Sequence, residues 1–257
     1  MKRQHTLLIL LAASALAQAK DCASDDSVLN EAFAALNSED EATVATANDK
    51  IRQLLREAAA GDNWDCDYPQ AQEQGLSVRT SDDHKFRAYS WDDHNGGTAR
   101  YYLGLWQYRD GSGKTHIINA NWSKGDEEGG NSGSVTDLYT AQLDGNGTVY
   151  LLEESEKGSS RDYGRSIRLL RIKGDKLEAA PLIHTKKEDL AEIFFAYDRF
   201  SLPDDDLQPV KITYDDATKT LRVPLIKETD EYPSGQVTEK KLTYRYDGKR
   251  FTYQGEQ

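Results

Sequence analysis

The spacing of apolar residues changes once along this chain. In the first quarter they recur every three or four positions. Val28, Leu29, Ala32, Phe33 and Leu36 predict a helix over 25–37. Ser38 followed by Glu41 reads as a capping box opening a second helix, whose buried face carries Val44, Ala47, Ile51, Leu54, Leu55 and Ala58 and which Gly61 ends. A polar connector with one proline, 63–74, follows. From Leu76 onward the period shortens to two, in short runs rich in Val, Ile, Thr, Tyr, Phe and Trp. They lie at 76–81, 85–91, 99–109, 115–122, 135–143, 148–155, 165–173, 177–184, 210–214, 221–227, 237–246 and 251–254. The stretch 185–200 is ambiguous. Thr185 and Glu188 resemble a cap and Leu190, Ile193, Phe194 and Tyr197 sit at helical spacing, but 193–197 also reads as strand. A helical turn followed by a strand is the preferred reading.

The connections between strands alternate in kind. Short Asp/Gly turns occur at 82–84, 110–113, 144–147, 174–175, 215–217 and 247–248, as tight hairpins require. The turn aspartates recur roughly every thirty residues, a weak hairpin repeat. Longer loops lie at 92–98, 123–134, 156–164 and 228–236. In a meander, alternate connections emerge at opposite ends, so the first three long loops should share one end and form the natural binding face. The expected fold is mainly β: an antiparallel up-and-down meander of about twelve strands, propeller-like or a sandwich, preceded by an N-terminal helical hairpin. The expected division is 1–19, 20–74 and 75–257.

The N-terminus changes where this fold should work. Met1-Lys2-Arg3, an apolar run from Leu7 to Leu16 and Ala17-Gln18-Ala19 have the form of a cleaved secretory signal peptide. The apolar run is about half of what a bilayer span needs, so no membrane insertion is expected, and the location should be periplasmic or secreted. Cys22 and Cys66 are the only cysteines. In an exported chain they should pair, and a helical hairpin brings its two ends together. The net charge is −12. Residues 1–19 hold Lys2 and Arg3 and no acid, so removing them would give −14. That charge disfavours nucleic acid and suits a basic partner, or solubility alone.

No stretch of the chain carries a complete catalytic motif. Gly111-Ser112-Gly113-Lys114-Thr115 resembles the end of a phosphate-binding loop, but Tyr108 stands where a glycine is needed and a strand should follow. Two Asp-Asp-His triplets, Asp82-Asp83-His84 and Asp92-Asp93-His94, have zinc-ligand chemistry. A strand spanning roughly 23 Å separates them, so each is better read as a polar turn. Asp126-Glu127-Glu128 and Asp204-Asp205-Asp206 offer hard oxygens to calcium, although solvated acidic loops are commoner; no other cofactor is implied. Asn121-Trp122-Ser123 and Asn146-Gly147-Thr148 are glycosylation sequons. The aromatics Tyr89, Trp91, Tyr101, Tyr102, Trp106, Tyr108 and Trp122 read as core before they read as a sugar platform.

Ser81 to Arg87 partly resembles the Asp-box turns of sialidase-like propellers, without their Gly and Trp, which supports a hairpin turn but no sialidase chemistry. Lys85 to Asp92 with Gly96-Gly97-Thr98, and Leu242 to Phe251, are similar to segments of exported bacterial β-rich proteins of unassigned activity. That resemblance covers roughly 75–254, implies an envelope location and brings no active site. The expected function is therefore a soluble binding protein of the bacterial envelope, an inhibitor or immunity-type protein for a basic protein partner. Its candidate binding loops carry Asp92, Asp93, His94, Trp122, Asp126, Glu127 and Glu128. The alternative is a glycan-acting hydrolase using a carboxylate pair in an aromatic cleft.

Overall fold

A computed structural model describes residues 22–61, 63–120, 133–202 and 207–257. The 1–19 segment, Trp122, Asp126, Glu127, Glu128 and Asp204 to Asp206 lie outside the described residues.

Helix α1 (Cys22–Ala34) continues as a 3-10 turn over Ala35–Asn37 and is followed by α2 (Glu41–Ala60). The cap of α2 falls two residues later than the sequence suggests. Asp40, not Ser38, is the N-cap and its carboxylate accepts the Thr43 N–H, while Ser38 Oγ accepts from Asp40 N. Asp has the better geometry because it also takes the Thr43 hydroxyl at 2.6 Å. The connector is not featureless. Pro69–Glu73 forms a short helix, α3, with proline at its first position, where the missing N–H costs nothing. Asp26 of α1, 2% exposed, accepts the Gln70 and Ala71 N–H groups at its start. Cys22 and Cys66 are joined by a disulfide, with Cα atoms 5.3 Å apart.

The β region is a stack of three sheets. The first is β1 (Ser77–Thr80), β2 (Phe86–Asp92), β3 (Tyr102–Arg109) and β4 (Thr115–Asn119), in chain order. The middle sheet contains β5 (Ser134–Leu143), β6 (Gly147–Lys157), β7 (Asp162–Lys173) and β8 (Lys176–Ala179), with β11 (Glu192–Asp198) on the far side of β7. The third holds β9 (Ile183–His184), β10 (Asp189–Leu190), β12 (Thr213–Asp215), β13 (Thr220–Lys227), β14 (Gln236–Tyr246) and β15 (Phe251–Glu256). All pairings are antiparallel except β9 with β15. The arrangement is mainly β and antiparallel, as expected, with fifteen strands among the described residues.

The extra strands arise where the chain changes sheet. The run expected at 177–184 breaks at Ala180-Pro181, so β8 stays in the middle sheet and β9 leaves it. Residues 185–188 form no helical turn. Thr185 Oγ1 accepts from Lys187 N and Glu188 N, and Thr185 N donates to Glu188 O, which closes the β9–β10 hairpin. The same cap chemistry that can start a helix closes a hairpin when the strands on either side pair.

Each gap between layers has its own core. Leu29, Phe33, Ile51 and Leu55 of the helices pack on Tyr89, Trp91 and Leu105. Phe86, Ala88 and Trp106, on the opposite face, meet Tyr150, Leu152 and Leu170. Leu151, Ile167 and Leu169 face Ile212, Val223 and Phe251 of the third sheet. Along one side the first two sheets curl together, where Val135 N donates to Ser90 Oγ and Asp82 N to Thr140 Oγ1. Both β2 and the central strands β6 and β7 of the middle sheet are thus covered on both faces. Arg87, 0% exposed, points from β2 into the helical layer and donates to the carbonyls of Asn63, Trp64 and Cys66.

Candidate functional site

Among the described residues, the long loops at 92–98, 156–164 and 228–236 gather at one end of the stack. Residues 93–101 are pinned to the end of β6, with Arg100 N donating to Lys157 O at 2.8 Å. Gly133, where the chain re-enters β5, lies against Glu154 and Ser155. The 228–235 loop reaches the same place, because Ser234 Oγ donates to Asp162 Oδ1 and Arg161 Nη2 to Glu231 O. The return of β11 to the middle sheet brings this last loop round.

Asp92, Asp93 and His94 hold the shape of their own loop. Asp92 accepts the His94 N–H and pairs with Arg100 Nε at 2.9 Å. Asp93 accepts the Asn95 N–H, and its carbonyl takes Asn48 Nδ2, which ties the loop to α2. His94 sits exposed at φ 62°. These contacts make the triplet a turn. Asp82-Asp83-His84 is likewise a turn, at the other end of β2: Asp83 Oδ1 accepts the Ser81 hydroxyl and the Lys85 N–H, and His84 takes φ 53°, in the left-handed region. Among the described residues no group of three or more His, Cys, Asp or Glu side chains is placed to hold a metal.

Two buried ion pairs lie behind the loop end, and the sequence reading missed both. They cross diagonally between β6 and β7, one on each face of the middle sheet. Glu153 pairs with Arg165 at 2.8 Å toward the third sheet and also accepts Ile212 N. Glu154 pairs with Arg168 at 3.3 Å toward the first sheet. Arg168 also reaches Glu192 at 3.0 Å, and its guanidinium lies 5.6 Å above the Trp106 ring. Burial pushes the Glu154 carboxyl up to about 7; Glu192 and Glu156 add to the rise and Arg168 opposes it. The available signal was charge in the middle of otherwise apolar strands, Glu153-Glu154 after Val149 to Leu152 and Arg165 and Arg168 around Ile167.

Exposed aromatics complete this end. Phe194 is 52% and Phe200 63% exposed, and Tyr101 of the β2–β3 loop is also exposed. Phe194 leans over Gly164 of β7, and Arg161, paired with the buried Asp198, stacks against Phe200. By contrast Tyr89, Trp91, Trp106 and Tyr108 are core. No described helix is long and apolar enough to cross a membrane. Comparison with known proteins finds no matching family model, curated protein or solved structure.

Proposed function

We propose that this chain is an exported binding protein of the bacterial envelope, of inhibitor or immunity type, that docks a basic protein through its long-loop end. The reading rests on one observation: Tyr101, Phe194 and Phe200 stand exposed where the loops converge. Aromatic anchors surrounded by charge are what protein interfaces use. Asp162 and Glu231 at the same end supply negative charge, which suits a cationic partner and a salt-sensitive encounter. The disulfide suits an oxidising compartment.

Glycan hydrolysis has less support. The carboxyl held near neutrality, Glu154, is 1% exposed and turned onto Arg168, so a substrate has no access to it. The test is capture of a defined partner from envelope extract by the mature chain. A basic protein retained at low salt, released at high salt and lost with Phe200→Ser and Phe194→Ser supports the reading. Failure to retain any cationic protein, or equal retention by both variants, overturns it.

A further inference from the structure

An asparagine side-chain amide can be attacked by the backbone nitrogen of the next residue. The attack is easiest when that residue is glycine, which has no Cβ to obstruct it. The chain carries Asn-Gly twice, at Asn95-Gly96 and Asn146-Gly147, and the fold treats the two differently. Asn146 lies in the turn between β5 and β6. Its Nδ2 donates to the Tyr246 hydroxyl at 2.7 Å and to Lys249 O at 3.0 Å, and its N–H donates to Leu143 O. The Tyr246 hydroxyl donates in turn to Asp144 O. The amide is thus pinned to the β14–β15 turn, and swinging it onto Gly147 N breaks both of its bonds.

Asn95 stands exposed in the β2–β3 loop, at the long-loop end. Its N–H donates to Asp93 Oδ1. Among the described residues its side-chain amide has no hydrogen-bond partner, and the Gly96 N–H has no acceptor. The frame around it is held: Asp92 pairs with Arg100 Nε, and Arg100 Nη1 donates to Gly97 O at 3.1 Å. Asn95 is a free side chain on a fixed loop. The glycine beside it is imposed by that loop, because a Cβ at Gly96 would collide with the Ala99 carbonyl. The shape of the loop therefore brings the reactive dipeptide with it. Asp110 and Asp247 also precede glycines, but their carboxylates accept backbone N–H groups within their turns.

We propose that Asn95 is a self-modification site, which cyclises onto Gly96 and then opens to aspartate and isoaspartate. Gly96 N forms a bond to Asn95 Cγ, the Cγ–Nδ2 bond breaks, and ammonia leaves with the Gly96 amide proton. Water then opens the cyclic imide. Cleavage at Cγ gives aspartate with the backbone restored; cleavage at the main-chain carbonyl gives isoaspartate, with the chain routed through Cγ. Either product adds one negative charge at the loop end.

The test is peptide mapping by mass spectrometry of the mature chain held in mild alkali, folded and in urea. In the folded protein Asn95 should convert about tenfold or more faster than Asn146. In urea the two should convert at similar rates, since the fold is what separates them. Ion exchange should show a more acidic form accumulating, and Asn95→Gln should abolish it, because the longer side chain closes its ring poorly. That side chain makes no contact the fold needs, so the variant keeps its structure. An unmodified Asn95 in the folded protein, equal rates at the two sites when folded, a slow Asn146 in urea, or an acidic form that persists in Asn95→Gln would overturn the proposal.

Discussion

Replacing Glu154 by Gln should stabilise the protein above neutral pH and change little in mild acid. Glu154 is 1% exposed and its carboxyl is pushed from the ordinary 4.5 up to about 7, chiefly by burial. A carboxyl whose folded pKa is raised binds its proton more tightly in the fold than in the unfolded chain. Stability therefore falls as pH rises from about 4.5 through about 7, and stays lowered above that. At about 1.4 kcal/mol per pKa unit, the ionised form costs the fold about 3 kcal/mol at pH 8. Gln copies the protonated form in shape and leaves Arg168 its second partner, Glu192. The check is urea denaturation of both proteins, followed by tryptophan fluorescence, between about pH 5 and pH 8. Taking the difference between them removes every other titrating group. The variant should match the wild type near pH 5 and exceed it by about 3 kcal/mol at pH 8. If instead it loses more than about 1 kcal/mol at pH 8, Glu154 is ionised there and its pairing with Arg168 outweighs its burial.

Two other perturbations probe how the helical layer is fastened. Removing the disulfide as Cys22→Ser/Cys66→Ser, which opens a link across 44 residues, should cost about 4 kcal/mol in the chain-entropy model, read as a shift in the denaturation midpoint. Arg87→Met should cost about 3 kcal/mol or more, because it strands the buried carbonyls of Asn63, Trp64 and Cys66. Faster hydrogen exchange in α3 and in 63–68 should accompany it, and unchanged exchange there would mean that the disulfide alone holds the segment.

Most strands were legible because their turns are explicit. Asp110, Asp215 and Asp247 each accept backbone N–H groups within the hairpin they close, and that local chemistry is visible in one sequence. Sheet membership was not legible. Nothing in Ala180-Pro181 says that β9 crosses to a different sheet, since the partner that captures it, β15, lies near the far end of the chain. The boundary of α2 shifted because Ser38 and Asp40 are both competent caps, and the Asp40 carboxylate takes both the N–H and the hydroxyl of Thr43. At the candidate site, the turn role of Asp92, Asp93 and His94 followed from their spacing, but the Glu154–Arg168–Glu192 group did not. Its members come from three strands, and only their pairing brings them together.

The stacking order decides where this chain has room for function. A sheet covered on both faces has no exposed surface to bind with, and any charge within it must be neutralised in place, as Glu153 with Arg165 and Glu154 with Arg168 are. The acids and bases nearest the centre are therefore spent on the fold. Recognition is displaced to the two ends of the strands, and the ends differ in kind. One is built of long loops with exposed Phe194 and Phe200; the other of tight turns such as those at Asp110 and Asp247. The proposed docking of a cationic partner concerns the first end alone. Because a strand of β6 length, 11 residues or about 36 Å, separates them, screened charge at one end has little influence on the other. The charge change Lys173→Gln at the tight-turn end should then leave partner affinity unchanged, and a change of more than threefold would show that the middle sheet transmits strain between its ends.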